Sequence, residues 1–130
     1  MEFRIFILTF CLVGFEAYTQ TISYTDFISN INQLEREGKY QDAKELIITG
    51  FNEYNKWFSL SKELIYVNEK LGLYEENLSI FNEAHQKGYF YFIHPVMPKY
   101  KPYKEFKDFN TISKKDIELL RAANKTSKTI

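Results

Sequence analysis

The segment EREGKY at residues 35–40 returns thirty-four residues later as EKLGLY at residues 69–74. Gly38 becomes Gly72, and Tyr40 becomes Tyr74. A glycine flanked on both sides by helical periodicity marks a helix end, because only glycine enters the left-handed region without a Cβ penalty. Two such ends at a fixed interval confine the chain to helices joined by tight turns, and to an arrangement that repeats. The apolar spacing agrees. Phe27, Ile31 and Leu34, with Ile28 beside them, place a helix over 24–37. Tyr40, Ala43, Leu46, Ile47, Gly50, Phe51 and Tyr54 place a second over 40–55. Leu60, Leu64, Val67 and Leu71 place a third over 59–71, with Ser59 as its expected N-cap. Tyr74, Leu78, Phe81, Ala84 and His85 place a fourth over 74–87, stopped by Gly88.

Helix, three-residue turn, helix, at a period of thirty-four, resembles the tetratricopeptide repeat. The resemblance covers residues 24–88, as repeats of about 24–55 and 58–88. Gly38 and Gly72 match the family's turn glycine, and Tyr40 and Tyr74 the aromatic two residues on. Ala43, Gly50 and Ala84 match small residues where paired helices cross, and Ile47 and Phe81 the large residue between them. Ile31 with Ile65 and Glu35 with Glu69 are also identical across the two repeats. Two positions depart from the pattern. Asn77 stands where the second repeat should be small, so that crossing must be looser or hydrogen-bonded. The proline after each second helix is missing, with Asn55 and Tyr89 there instead. The expected fold is all-α: a short right-handed array of two helix pairs.

Two pairs are too few for an independent array, so something must cover the open end. GYFYFIHPVMPKYKPY, residues 88–103, carries three prolines and reads as an extended aromatic arm over 89–104. Phe90, Phe92 and Ile93 are its expected capping residues. Phe109, Ile112, Asp116, Leu119, Leu120 and Ala123 then share a helix face over about 106–125, with Asp108 as a candidate N-cap. This is the expected C-terminal capping helix.

The N-terminus reads as an export signal, residues 1–19. IFILTFCLVGF, residues 5–15, is uncharged and apolar. As a helix it spans about 16 Å, short against the roughly 30 Å of a bilayer core and suited to a signal h-region. Ala17 and Thr19 supply small residues at the cleavage positions; a retained anchor is the alternative. The mature domain would be residues 20–130, secreted or periplasmic, with no stable membrane span. It would also lack cysteine, since the single Cys11 lies in the signal.

Chemistry-bearing patterns are sparse. No G-x-S-x-G turn, P-loop or G-x-G-x-x-G occurs. His85 and His94 have no thiolate or i, i+4 histidine partner. His85 reads as a packed helix residue, and His94 as a ring packed among the arm's aromatics. The expectation is a non-enzymatic chain with no catalytic residue, metal or cofactor. Net charge is zero, which gives no sign of a nucleic-acid partner. The halves differ: residues 20–97 carry seven Lys/Arg against eleven Asp/Glu, and residues 98–130 nine against four.

Tetratricopeptide arrays are binding scaffolds, and the resemblance implies another protein or peptide as the partner. It places the candidate binding residues Asn32, Arg36, Lys62, Tyr66 and Lys70 on the first helix of each pair, with Glu35 and Glu69 beside them. The carboxylate-clamp version is not expected, because Ile28 and Glu63 stand where that version has lysine and asparagine. Residues 60–128 also resemble the helical region that precedes the catalytic domain of exported bacterial α/β-hydrolase-type proteins. That resemblance implies an accessory domain without a nucleophile of its own.

Overall fold

The computed structural model describes residues 22–128. Within them the chain forms α1 (Tyr24–Arg36), α2 (Tyr40–Glu53), α3 (Trp57–Lys70), α4 (Tyr74–Gln86), a 3-10 helix (Pro98–Tyr103) and α5 (Phe109–Lys128). No strand occurs among the described residues. Consecutive α-helices pack on one another along the chain, and the 3-10 helix packs on α4. The expected signal, residues 1–19, lies outside the described residues. No helix among the described residues is long and apolar enough to cross a membrane.

The helix ends follow from the glycines. Gly38, Gly72 and Gly88 have φ of 73°, 75° and 85°. Each closes its helix with the same pair of hydrogen bonds. Lys39 N–H donates to the Leu34 carbonyl at 2.9 Å, and Gly38 N–H to that of Glu35 at 3.0 Å. Leu73 to Asn68 at 2.8 Å and Gly72 to Glu69 at 3.1 Å repeat the pattern, as do Tyr89 to Ala84 and Gly88 to His85. This is the Schellman closure, which satisfies carbonyls that a helix end leaves open. The N-termini are less uniform. Ser23 caps α1, its Oγ accepting from Asp26 N–H at 3.1 Å. Ser59 is not the cap of α3. That helix starts at Trp57 after Lys56, with no side-chain cap, so Ser59 lies inside its first turn. α5 starts directly after Asp108, whose carbonyl accepts from Ile112 N–H at 3.1 Å.

Two apolar clusters form the core, and α3 serves both. Phe27, Ile31, Ala43 and Ile47 pack with Leu60 and Val67 of α3. Leu78, Phe81, Ile93, Tyr100, Tyr103, Phe109 and Ile112 pack with Ile65 of α3. Fully burying side chains such as Ile31, Ile47 and Leu60 stabilises the fold by about 1.5–3 kcal/mol each. The small residues act where helices cross. Ala43 and Ala84 have no exposed surface. A Cβ on Gly50 would stand 2.5 Å from the Phe27 ring edge, so glycine admits that ring.

Asn77, the residue that breaks the repeat, is fully buried. Its Nδ2 donates to the Ile65 carbonyl at 3.1 Å and to the Tyr103 hydroxyl at 2.9 Å. Its Oδ1 accepts from Asn68 Nδ2 at 3.0 Å. The second crossing is therefore hydrogen-bonded where the first is sterically small. The network reaches Tyr103, so it also anchors the 3-10 helix.

The 3-10 helix corrects the expectation of an extended arm throughout 89–104. Residues 89–93 are irregular, but 98–103 coil. Pro98 occupies the first turn, where a missing N–H costs nothing and a fixed φ suits the helix. Tyr100 and Tyr103 turn inward from it, onto Phe109 at ring-centroid distances of 6.2 and 5.8 Å. Of the expected capping residues, Ile93 is fully buried, Phe90 is half-buried and Phe92 is 62% exposed. Ala123, expected on the packed face of α5, is exposed.

Replacing Gly72 by valine forces a β-branched side chain into the left-handed region, at a cost of about 1–2 kcal/mol or more. Gly72→Val is expected to lower the thermal midpoint clearly. An unchanged melt would show that this turn does not depend on a left-handed residue.

Candidate functional site

On α3, residues 58, 62, 65, 66 and 69 recur at helical spacing and form one face. The arm runs along this face, and the two enclose a groove of about 650 Å³. The volume is within the range of ligand cavities, about 300–1,000 Å³. Its floor is the second core cluster, through Ile65, Phe81 and Tyr100. Phe58, Tyr66 and Tyr89 are among its walls. Tyr89 stacks on Phe58 with centroids 4.4 Å apart and on Trp57 at 6.1 Å. Lys62 lies over the Phe58 ring at 4.7 Å, and Lys99 over the Tyr100 ring at 5.6 Å. Such cation–π contacts hold an ammonium in place without neutralising it.

What positions the arm is one buried side chain of α5. Asp116 is fully buried. Its Oδ1 accepts from Tyr91 N–H at 2.7 Å and contacts His85 Nε2 at 2.9 Å. Its Oδ2 accepts from Ile93 N–H at 2.7 Å. Two backbone donors, two residues apart, thus converge on a single carboxylate. The residue between them pays for that convergence: Phe92 has φ 58°, a left-handed conformation costly for a bulky side chain. A left-handed residue between them bends the backbone so that the flanking N–H groups face one acceptor. Phe92 is exposed, while Ile93 beside it is fully buried.

His85, expected to be packed, is buried and paired with Asp116; its Nδ1 is buried with no hydrogen-bond partner. His94 is exposed, and its Nδ1 accepts from Val96 N–H at 3.4 Å. No group of three or more His, Cys, Asp or Glu able to hold a metal occurs among the described residues. A second, smaller groove of about 400 Å³ lies between the arm and α5, with Val96, Met97, Ile117 and Leu120 among its lining.

Burial pushes tyrosines of the arm upward. Tyr100 rises to about 12, first through burial and then through the charges of Asp116 and Glu69. Tyr103 rises further for the same leading reason, against the lowering effect of its bond with Asn77. The Tyr100 hydroxyl donates to the Tyr91 carbonyl at 3.4 Å, and that of Tyr103 accepts from Asn77.

The structure brings Lys62 and Tyr66 into the groove, with Glu69. Lys70 stands beside it, its ammonium over the Tyr66 ring at 5.5 Å. Asn32 and Arg36 lie on α1 and do not line it. Lys99 and Tyr100 were not expected in a site, because nothing local in the sequence shows where the arm will lie. Between α1 and α3 the surface instead carries an acid pair, Glu35 and Glu63. Burial, and after it the neighbouring Glu63 carboxyl, raises Glu35 from 4.5 to about 7. Its Oε1 is buried without a partner.

Comparison with protein-family models, curated proteins and solved structures finds no match to this chain.

Asp116→Ala leaves two backbone donors and His85 without their acceptor. A loss of about 3–5 kcal/mol is expected in urea denaturation. Asp116→Asn keeps one acceptor oxygen and should lose less; equal losses would argue against this account. The Glu35 shift gives a separate test. Its folded value lies above the unfolded one, so stability falls as pH rises from 4.5 through about 7. Glu35→Gln should flatten that slope and gain about 1 kcal/mol at pH 8, allowing for the group's partial exposure. Parallel pH profiles of parent and variant would show that Glu35 does not carry the slope.

Proposed function

We propose that this chain is a non-catalytic interaction module of tetratricopeptide-like type, exported to the periplasm or cell exterior, that binds a peptide or a segment of another protein. The observation that carries the reading is the groove between α3 and the arm. It is an aromatic-walled cavity of about 650 Å³ whose floor is the core itself. Aromatic side chains offer large contact area with few torsions to freeze, the property that makes them binding anchors. The glycine-closed helix pairs support the scaffold reading, because they hold α3 from both sides and leave one face of it to the arm. The export reading rests on the sequence of residues 1–19 alone.

Chemistry gives little support to a catalytic reading. The His85–Asp116 pair resembles half of a catalytic set, but both side chains are buried and the carboxylate is used by backbone donors. Holding a chain segment accounts for it.

The test is selection of a displayed random-peptide library on the full chain. Recovered peptides should share an apolar anchor and lose binding to Tyr66→Asp. Tyr66 is 44% exposed, so this variant keeps the fold. Recovery of no shared motif, or of peptides indifferent to Tyr66→Asp, would reject the groove as the binding site.

A further inference from the structure

We infer that the groove selects a peptide segment in which a bulky apolar side chain lies next to acidic residues. The inference rests on the reading of the groove as a peptide site and adds the chemistry of what it takes. An inserted apolar side chain would meet Ile65, Phe81 and Tyr100, which belong to the second core cluster, and so would extend the core. The acidic requirement comes from the rim. Lys62 and Lys99 both line the groove and both are exposed. Neither forms an ion pair with a carboxylate among the described residues. Each is stationed over an aromatic ring of the groove, Lys62 over Phe58 and Lys99 over Tyr100. The acid in the lining is Glu69, half-buried. It sets one carboxylate against the two ammonium groups of Lys62 and Lys99. The rim left to a ligand is cationic. Lys99 opens the basic stretch of the chain: residues 98–130 carry nine Lys/Arg against four Asp/Glu. A basic segment would be repelled on approach, and an acidic one attracted.

The full chain contains its own reporter. Trp57 is the single tryptophan, and its ring lies nearly parallel to that of Tyr89, a groove residue, at 6.1 Å. Its emission can be titrated with three capped pentapeptides: acetyl-GLFDE-amide, acetyl-GLFKK-amide and acetyl-GSSDE-amide. The first should bind at least about fivefold more tightly than the second, the scale of one favourable exposed ion pair. The third should leave the emission unchanged. The double variant Lys62→Glu/Lys99→Glu should reverse the order of the first two.

Equal binding of the first two peptides, or tighter binding of the lysine peptide, overturns the acidic preference while the peptide-site reading stands. Equal binding of the first and third overturns the apolar anchor and leaves only surface attraction. Binding of none of the three overturns the inference and the peptide-site reading together. The parent protein alone decides among these outcomes, so the result does not hang on the variant's folding.

Discussion

Asp116 is the constraint from which the C-terminal half of the molecule is built. The carboxylate sits out of water, where an unpaired charge would be severely destabilising, and is made tolerable by directed donors. Those donors come from two pieces of structure and meet on a third: the arm supplies Tyr91 and Ile93, α4 supplies His85, and α5 carries the accepting carboxylate. The requirement for satisfaction therefore sets where α5 lies against α4 and where the arm lies against both. The groove is a by-product of that geometry. With the backbone of residues 91 and 93 turned toward α5, the rings of Tyr89 and Tyr91 remain on the α3 side.

The two helix pairs share a backbone solution and differ in side-chain chemistry. Both close on a left-handed glycine with the same hydrogen bonds. In the first pair Ala43 and Gly50 let the helices meet through small side chains, and Phe27 fills the space Gly50 leaves. In the second, Asn77 replaces that contact by a polar network joining α3, α4 and the 3-10 helix. A small residue there would leave nothing to receive Tyr103. The departure from the repeat is thus tied to the arm, which the first pair lacks.

Local signals were readable and non-local ones were not. The turn glycines, the four repeat helices and the face carrying Lys62 and Tyr66 follow from spacing and from the conformational freedom of single residues. Asn77 was readable as an exception whose buried amide needs partners, though Tyr103 as one of them was not. Asp116 was placed on the packed face of its helix, but its role was invisible. Its main partners are backbone N–H groups, which any residue but proline at 91 and 93 would supply. Phe92 was expected inward beside Ile93, but adjacent side chains along non-helical backbone face opposite ways, and only Ile93 is buried. The prolines misled through their usual meaning: they exclude an interior position, yet Pro98 begins a 3-10 turn without penalty.

The division of the core into two clusters fixes a sequence of events for any chain that emerges from its N-terminus, whether from a ribosome or a translocation channel. The first cluster is complete once Val67 is out, since every buried member lies at or before that residue. The arm's hydrogen bonds wait for residue 116. Across the intervening stretch Ile65, Leu78 and Phe81 have no cover, and α3 presents a finished face on one side and a bare one on the other. That interval is the molecule's point of exposure to aggregation and to chaperones, and its length is set by how far Asp116 lies behind the residues it will hold.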